Sequence, residues 1–162
     1  MFHTLILSIM FYAAETWDLN SCENSYMEKS YYKAMKMASP PSIQTYETQH
    51  STLEKLMDLP SYDELMASKR LNFSATILGK NDDDTMREDY QLEKAENSTW
   101  FKKVKKDMDT VGIENDDDLV ELRKKFELKS RVKEKFDDLR VLKIGEELIE
   151  EDENNIGNSS LS

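Results

Sequence analysis

Cysteine, proline and glycine are scarce in this 162-residue chain, which has one, three and four of them. The lone Cys22 excludes an internal disulfide and any multi-cysteine zinc site, and it fits a reducing compartment, so the expected localisation is intracellular, in cytoplasm or nucleus. So few glycines and prolines exclude an all-β sandwich, which needs turn residues at short intervals. No apolar run is long enough for a membrane span, which takes roughly 20 residues. There is no G-x-S-x-G elbow and no phosphate-cradling glycine loop, and His3 and His50 have no partner at helical spacing. No catalytic residue, metal ligand set or cofactor site is therefore expected.

Charge is what the chain has in abundance. Charged residues make up 34% against 38% hydrophobic, and 33 acids against 22 Lys and Arg give a net charge of -11. With a mean hydropathy of -0.73, much of the chain cannot repay its ordering entropy by burial. Apolar residues recur mostly at steps of three and four, so the expected class is all-α, with loosely packed helices and acidic disordered segments.

The exception to this polarity is the start. Ten of the thirteen residues from Leu5 to Trp17 are apolar. A helix that is hydrophobic nearly all round must be covered on every side, and the rest of the chain offers little to cover it. Leu5, Leu7, Ile9, Phe11 and Trp17 are accordingly the expected docking residues, either for a polymerase core or for self-association. The run is not expected to be a signal peptide, because no Lys or Arg precedes it and Tyr12-Ala13-Ala14 is a poor cleavage site.

Further helices are expected over 22–37, capped by Asn24 or Ser25 with Met27, Tyr31, Ala34 and Met35 inward, and over about 51–59 with Leu53, Leu56 and Met57 inward. A loop to about Gln49 separates them. Ser61 with Glu64 has the pattern of a capping box. The helix it opens should bury Tyr62, Leu65, Met66, Phe73 and Ile77, keep Lys69 and Arg70 near solvent, and stop at Gly79. Residues 79–98 read as an acidic linker. Beyond it Trp100, Val104, Met108 and Val111 form one face of a helix ended by Gly112, and Asn115 with Asp116, Asp117 and Asp118 opens the next, which should bury Leu119, Leu122, Phe126, Val132 and Phe136. The expected organisation is 1–78, a linker 79–98, a helical unit 99–143, and a disordered acidic tail 144–162.

Four blocks resemble, in order, the region after the catalytic palm in reverse transcriptases of non-LTR (LINE-type) retrotransposons. Tyr12-Ala13-Ala14-Glu15-Thr16-Trp17 is similar to YGAETW, with Ala13 for glycine. Leu59-Pro60-Ser61-Tyr62-Asp63-Glu64-Leu65 is similar to LPSLEEL. The segment from Arg70 to Asp83 is similar to RLRFFGHILRMNDD, with Ala75 and Thr76 for Gly-His and Gly79 for Arg. The segment from Trp100 to Met108, followed by Gly112-Ile113, is similar to W-x-x-x-VKKDL-x-x-LGI. The resemblance implies a thumb-like, helical fragment of an RNA-directed DNA polymerase without catalysis of its own. Polymerisation needs palm aspartates, usually in Tyr-x-Asp-Asp, to hold two metal ions, and no such tetrad occurs in the chain.

Lys102, Lys103, Lys105 and Lys106, beside Trp100 and Phe101, are the candidate nucleic-acid contacts, since lysine neutralises phosphate without reading sequence. The net charge of -11 opposes this, and lysines are also the ordinary solvated face of a helix. Two alternatives stay open: a small acidic helical protein-interaction module, and a secreted or membrane-associated protein relying on residues 2–14.

Overall fold

Helix ends leave backbone N–H groups unpaired, and in this chain short polar side chains meet them and so set the boundaries. The computed structural model describes residues 7–43 and 49–159, and all regular structure among these is helical, as the apolar spacing requires. The elements are α1 (Leu7–Met10), a 3-10 turn (Ala14–Thr16), α2 (Ser21–Ala38), a second 3-10 turn (Pro41–Ile43), α3 (His50–Met57), α4 (Tyr62–Leu78), α5 (Thr85–Ala95), α6 (Thr99–Val111), α7 (Asp116–Lys124) and α8 (Leu128–Ser159).

Asn20, earlier than Asn24 or Ser25, caps α2. Its side-chain oxygen accepts from the Cys22 and Glu23 N–H groups while Glu23 accepts from the Asn20 N–H at 2.9 Å. Ser61 caps α4 as expected, accepting from the Glu64 N–H at 3.1 Å. The Glu64 carboxylate makes no return bond and is drawn instead to Arg140 on α8. Asp84, Ser98 and Asn115 cap α5, α6 and α7, and Gly112 ends α6 in the left-handed region at φ 75°.

The first helix is the largest departure from expectation. Among the described residues it runs from Leu7 to Met10 and then breaks, because Ala13 takes a left-handed conformation at φ 54°. The break folds the segment back, so Phe11 and Ala14 are fully buried and Leu7 nearly so, in a core built by Tyr31, Tyr32 and Met35 of α2, Leu53 of α3 and Tyr62 and Met66 of α4. The Phe11 ring stands 5.7 Å from Tyr31, 6.0 Å from Tyr62 and 6.4 Å from the partly buried Trp17. The chain thus covers Leu7, Phe11 and Ala14 itself. Leu7, Phe11 and Trp17 are internal contacts rather than a docking face, Leu5 and His3 lie outside the described residues, and so does the Ile9 side chain. The loop expected before Gln49 falls largely on residues 44–48, also outside them.

Helix α4 carries the rest of the architecture. Its buried residues Tyr62, Met66, Ala67, Leu71, Ser74, Ala75, Ile77 and Leu78 surround most of its circumference, as in a central helix. Its first half faces the core just described. Its second half enters another core with Tyr90, Phe101, Val104, Met108, Val111, Leu119, Leu128 and Val132. A boundary at 78 is therefore corrected, because α4 belongs to both cores.

The linker expected over 79–98 is corrected too. It contains α5, which buries one anchor: Tyr90 is 2% exposed and its hydroxyl donates to Asp116 at 3.2 Å. A single aromatic creates no periodicity, so the pattern left it invisible. The helix expected to continue through Phe126 is instead two helices. Phe126 sits at φ 59° and is 91% exposed, while the Phe126 and Glu127 N–H groups close back onto the Arg123 and Leu122 carbonyls. The tail expected to be disordered from 144 has a helical backbone to Ser159. Charge opposes burial, not helicity; its Glu, Leu and Ile residues suit a helix, and no proline interrupts it. Leu56, expected inward, is 57% exposed.

Candidate functional site

The row Leu128, Val132, Phe136 on α8 continues at the same four-residue step to Arg140, which brings a guanidinium into the crevice between α3 and α4. Arg140 Nε donates to Glu54 at 3.2 Å, and its two terminal nitrogens donate to Asp137 at 3.1 Å, to Glu64 at 3.4 Å and to the Leu59 carbonyl at 3.5 Å. Glu54 and Glu64 have side chains only 6% and 11% exposed. The other oxygen of Glu54 accepts a short hydrogen bond from the Tyr32 hydroxyl. Tyr31 donates to the Pro60 carbonyl at 2.5 Å and Tyr62 to Asn24 at 2.9 Å. His50 stacks on Tyr32 with ring centroids 3.7 Å apart.

Burial dominates the titration of Glu64, Tyr31, Tyr32, Tyr62 and His50. It pushes the Glu64 carboxyl above its ordinary value despite the pull of Arg140. Burial, aided by neighbouring carboxylates, raises the Tyr31 and Tyr32 hydroxyls far out of the neutral range and lifts Tyr62 to about 12. Burial, and then Lys36, keeps His50 below its usual value. Arg140 opens on a cavity of about 570 Å³, lined also by Glu64, Asp137, Lys129 and Lys133. The phenols stay protonated and donate, and both acids accept from Arg140. The cluster is built to join α3, α4 and α8.

A second joint holds α4 to α6. Arg70 makes two bonds to Asp107, at 2.6 and 3.1 Å, with both side chains 11% exposed, so the expectation of a solvent-facing Arg70 is corrected. Burial holds the Asp107 carboxyl above its ordinary value against the pull of Arg70. Nearby, Trp100 Nε1 donates to the Glu15 carbonyl at 2.9 Å, and the Trp100 ring meets Phe73 and Tyr90 edge-on.

Of the four candidate lysines, Lys103 is engaged within the fold. Lys103 donates to Asp18 at 2.8 Å and to the Leu19 carbonyl, which fastens α6 to the segment before α2. Lys102, Lys105 and Lys106 are exposed along α6. Asp84 accepts from the Met86 N–H at the start of α5, and Asp116, in the first turn of α7, accepts from Lys94 at 2.6 Å as well as from Tyr90. Among the described residues no three His, Cys, Asp or Glu side chains gather as a metal site, and no helix is long and apolar enough to cross a membrane.

Sequence reasoning missed Glu54, Glu64, Arg140, Arg70 and Asp107 as partners. The one signal it had was a cation extending an apolar row at Arg140. Comparison with protein-family profiles, with curated proteins and with solved structures finds no match to this chain.

Proposed function

We propose that this chain is a non-catalytic helical module corresponding to the region after the palm of a non-LTR retrotransposon reverse transcriptase, and that it acts by holding its parent polymerase together rather than by reacting. One observation carries the reading. Ala13 stands where the YGAETW pattern has its glycine, and Ala13 occupies the left-handed conformation, at φ 54°, that glycine adopts without steric cost. A shared backbone accounts for that coincidence.

Two further features agree with it. The blocks that carry the resemblance meet one another: Glu15 of the first lies against Trp100 of the fourth and 4.0 Å from Lys69, and Arg70 of the third grips Asp107 of the fourth. Ser74, where the third block's pattern has its second phenylalanine, is fully buried with its hydroxyl unpaired, as expected of a core position that has drifted.

The test is complementation. The full chain alone should extend no primer on an RNA template with magnesium. Added to the fingers and palm of a LINE-type enzyme cut after the palm, it should restore extension. Extension by the chain alone, or no restoration in the mixture, would overturn the reading. Ala13→Gly should stabilise the chain by about 0.5–1 kcal/mol in urea unfolding, because it relieves a left-handed alanine. Ala14→Gly, at a buried position of ordinary conformation, should destabilise it.

A further inference from the structure

A second cavity, of about 430 Å³, lies among α4, α5, α6 and the segment before α2, and it shares no lining residue with the one beside Arg140. Small-molecule sites run to roughly 300–1,000 Å³, so its size suits one. The rings of Phe73, Tyr90 and Trp100 line it together with Asp18, Asp89 and Glu93, and no Lys or Arg is among its lining residues. Both polar ring atoms are engaged elsewhere. The Tyr90 hydroxyl donates to Asp116 and Trp100 Nε1 to the Glu15 carbonyl, which leaves ring carbon as the surface for the cavity. The face of an aromatic ring carries partial negative charge and attracts a cation, most strongly where the ring is an indole.

The acids favour the same kind of occupant. Asp89 and Glu93 stand four residues apart on one face of α5, where like charges repel and weaken a helix. Neither carboxylate is hydrogen-bonded or ion-paired among the described residues, while the cations around them are engaged with other acids: Arg87 with Asp82, Lys94 with Asp116, and Lys103 with Asp18. Lys80 reaches the Met86 sulfur in the cavity lining at 3.2 Å, but its charge is met by Asp84. Aromatic walls offer a metal ion none of the converging oxygens it needs, and the acids repel carboxylates and phosphates. A neutral apolar molecule would cover the carboxylates without pairing them. An ammonium ion with an apolar body meets both surfaces.

We propose that this cavity binds a small organic cation of the alkylammonium class, with its apolar substituents against Phe73, Tyr90 and Trp100 and its charge met by Asp89 and Glu93. The site is independent of any polymerase ancestry.

Choline is the probe, titrated into the full chain at constant ionic strength, and dimethylbutanol, the uncharged analogue with carbon in place of nitrogen, is its control. The chain has two tryptophans and hence two indole N–H signals by NMR, of which Trp17→Phe identifies that of Trp100. Choline should move the Trp100 signal saturably, with a Kd of about 1 mM or below, and dimethylbutanol should bind at least about tenfold more weakly. The double variant D89N/E93Q should weaken choline binding at least about tenfold and keep the same helicity, since neither carboxylate is bonded within the fold. Phe73→Leu keeps an apolar wall but removes a ring face, and it should weaken choline without weakening dimethylbutanol. A Trp100 signal that choline does not move, equal affinity for the uncharged alcohol, or choline affinity undiminished in D89N/E93Q would overturn the proposal.

Discussion

Arg140→Ala is expected to lower stability at pH 7 by about 3–5 kcal/mol, one of the two largest effects of any single substitution considered. The guanidinium pairs with two carboxylates that the fold has removed from water, Glu54 and Glu64, and no other cation forms an ion pair with either among the described residues. Removing it leaves both acids buried without a counter-charge. Arg140→Met should cost nearly as much, because the loss is of charge and not of side-chain length.

The loss should depend on pH in a set direction. Burial already holds the Glu64 pKa in the folded chain above its ordinary 4.5, and Arg140 supplies the largest opposing pull. Without Arg140 the folded-state value rises further, so the folded variant takes up protons where the unfolded chain does not. Protonation then favours folding, and the deficit shrinks as pH falls from the raised value toward 4.5. Urea unfolding of both proteins across that interval measures it. A deficit that stays constant with pH would mean that Arg140 acts by packing alone.

Phe11→Ala is expected to cost about 3–5 kcal/mol, the range for deleting a fully buried aromatic. Phe11 has no exposed surface and contacts the rings of Tyr31, Tyr62 and Trp17. Had the amino-terminal segment been a face awaiting a partner, the same substitution would leave the isolated chain's stability nearly unchanged. Tyr12→Ala is the control, since Tyr12 is 81% exposed and should shift stability little. Denaturant midpoints of the three chains decide between the two pictures.

The two results bear on how the fold is encoded. Local signals were legible where one residue decides the outcome: Ser61 as a cap, the stop before Pro40, and Gly112 in its left-handed place. Periodic rows were legible as well, so Tyr31 and Met35, Tyr62 and Met66, and Val104 and Met108 are buried as expected. Single anchors were not. Tyr90 makes α5 part of the fold with one side chain, and no spacing rule detects one side chain. Buried charge was equally hidden, because Arg70 and Arg140 look solvent-bound until Asp107, Glu54 and Glu64 are seen to face them.

By itself the sequence determined the all-helical class, most helix boundaries and the absence of a palm tetrad, because these depend on residues within a turn or two of one another. Only the tertiary structure decided what covers what. Leu7, Phe11 and Ala14 of the apolar opening segment are enclosed by their own chain, since a left-handed Ala13 turns it back onto α2 and α4, while Val141, Leu142 and Ile149 stand exposed on α8. Burial is a property of pairs of distant surfaces, and hydropathy along one strand of sequence records only one member of each pair.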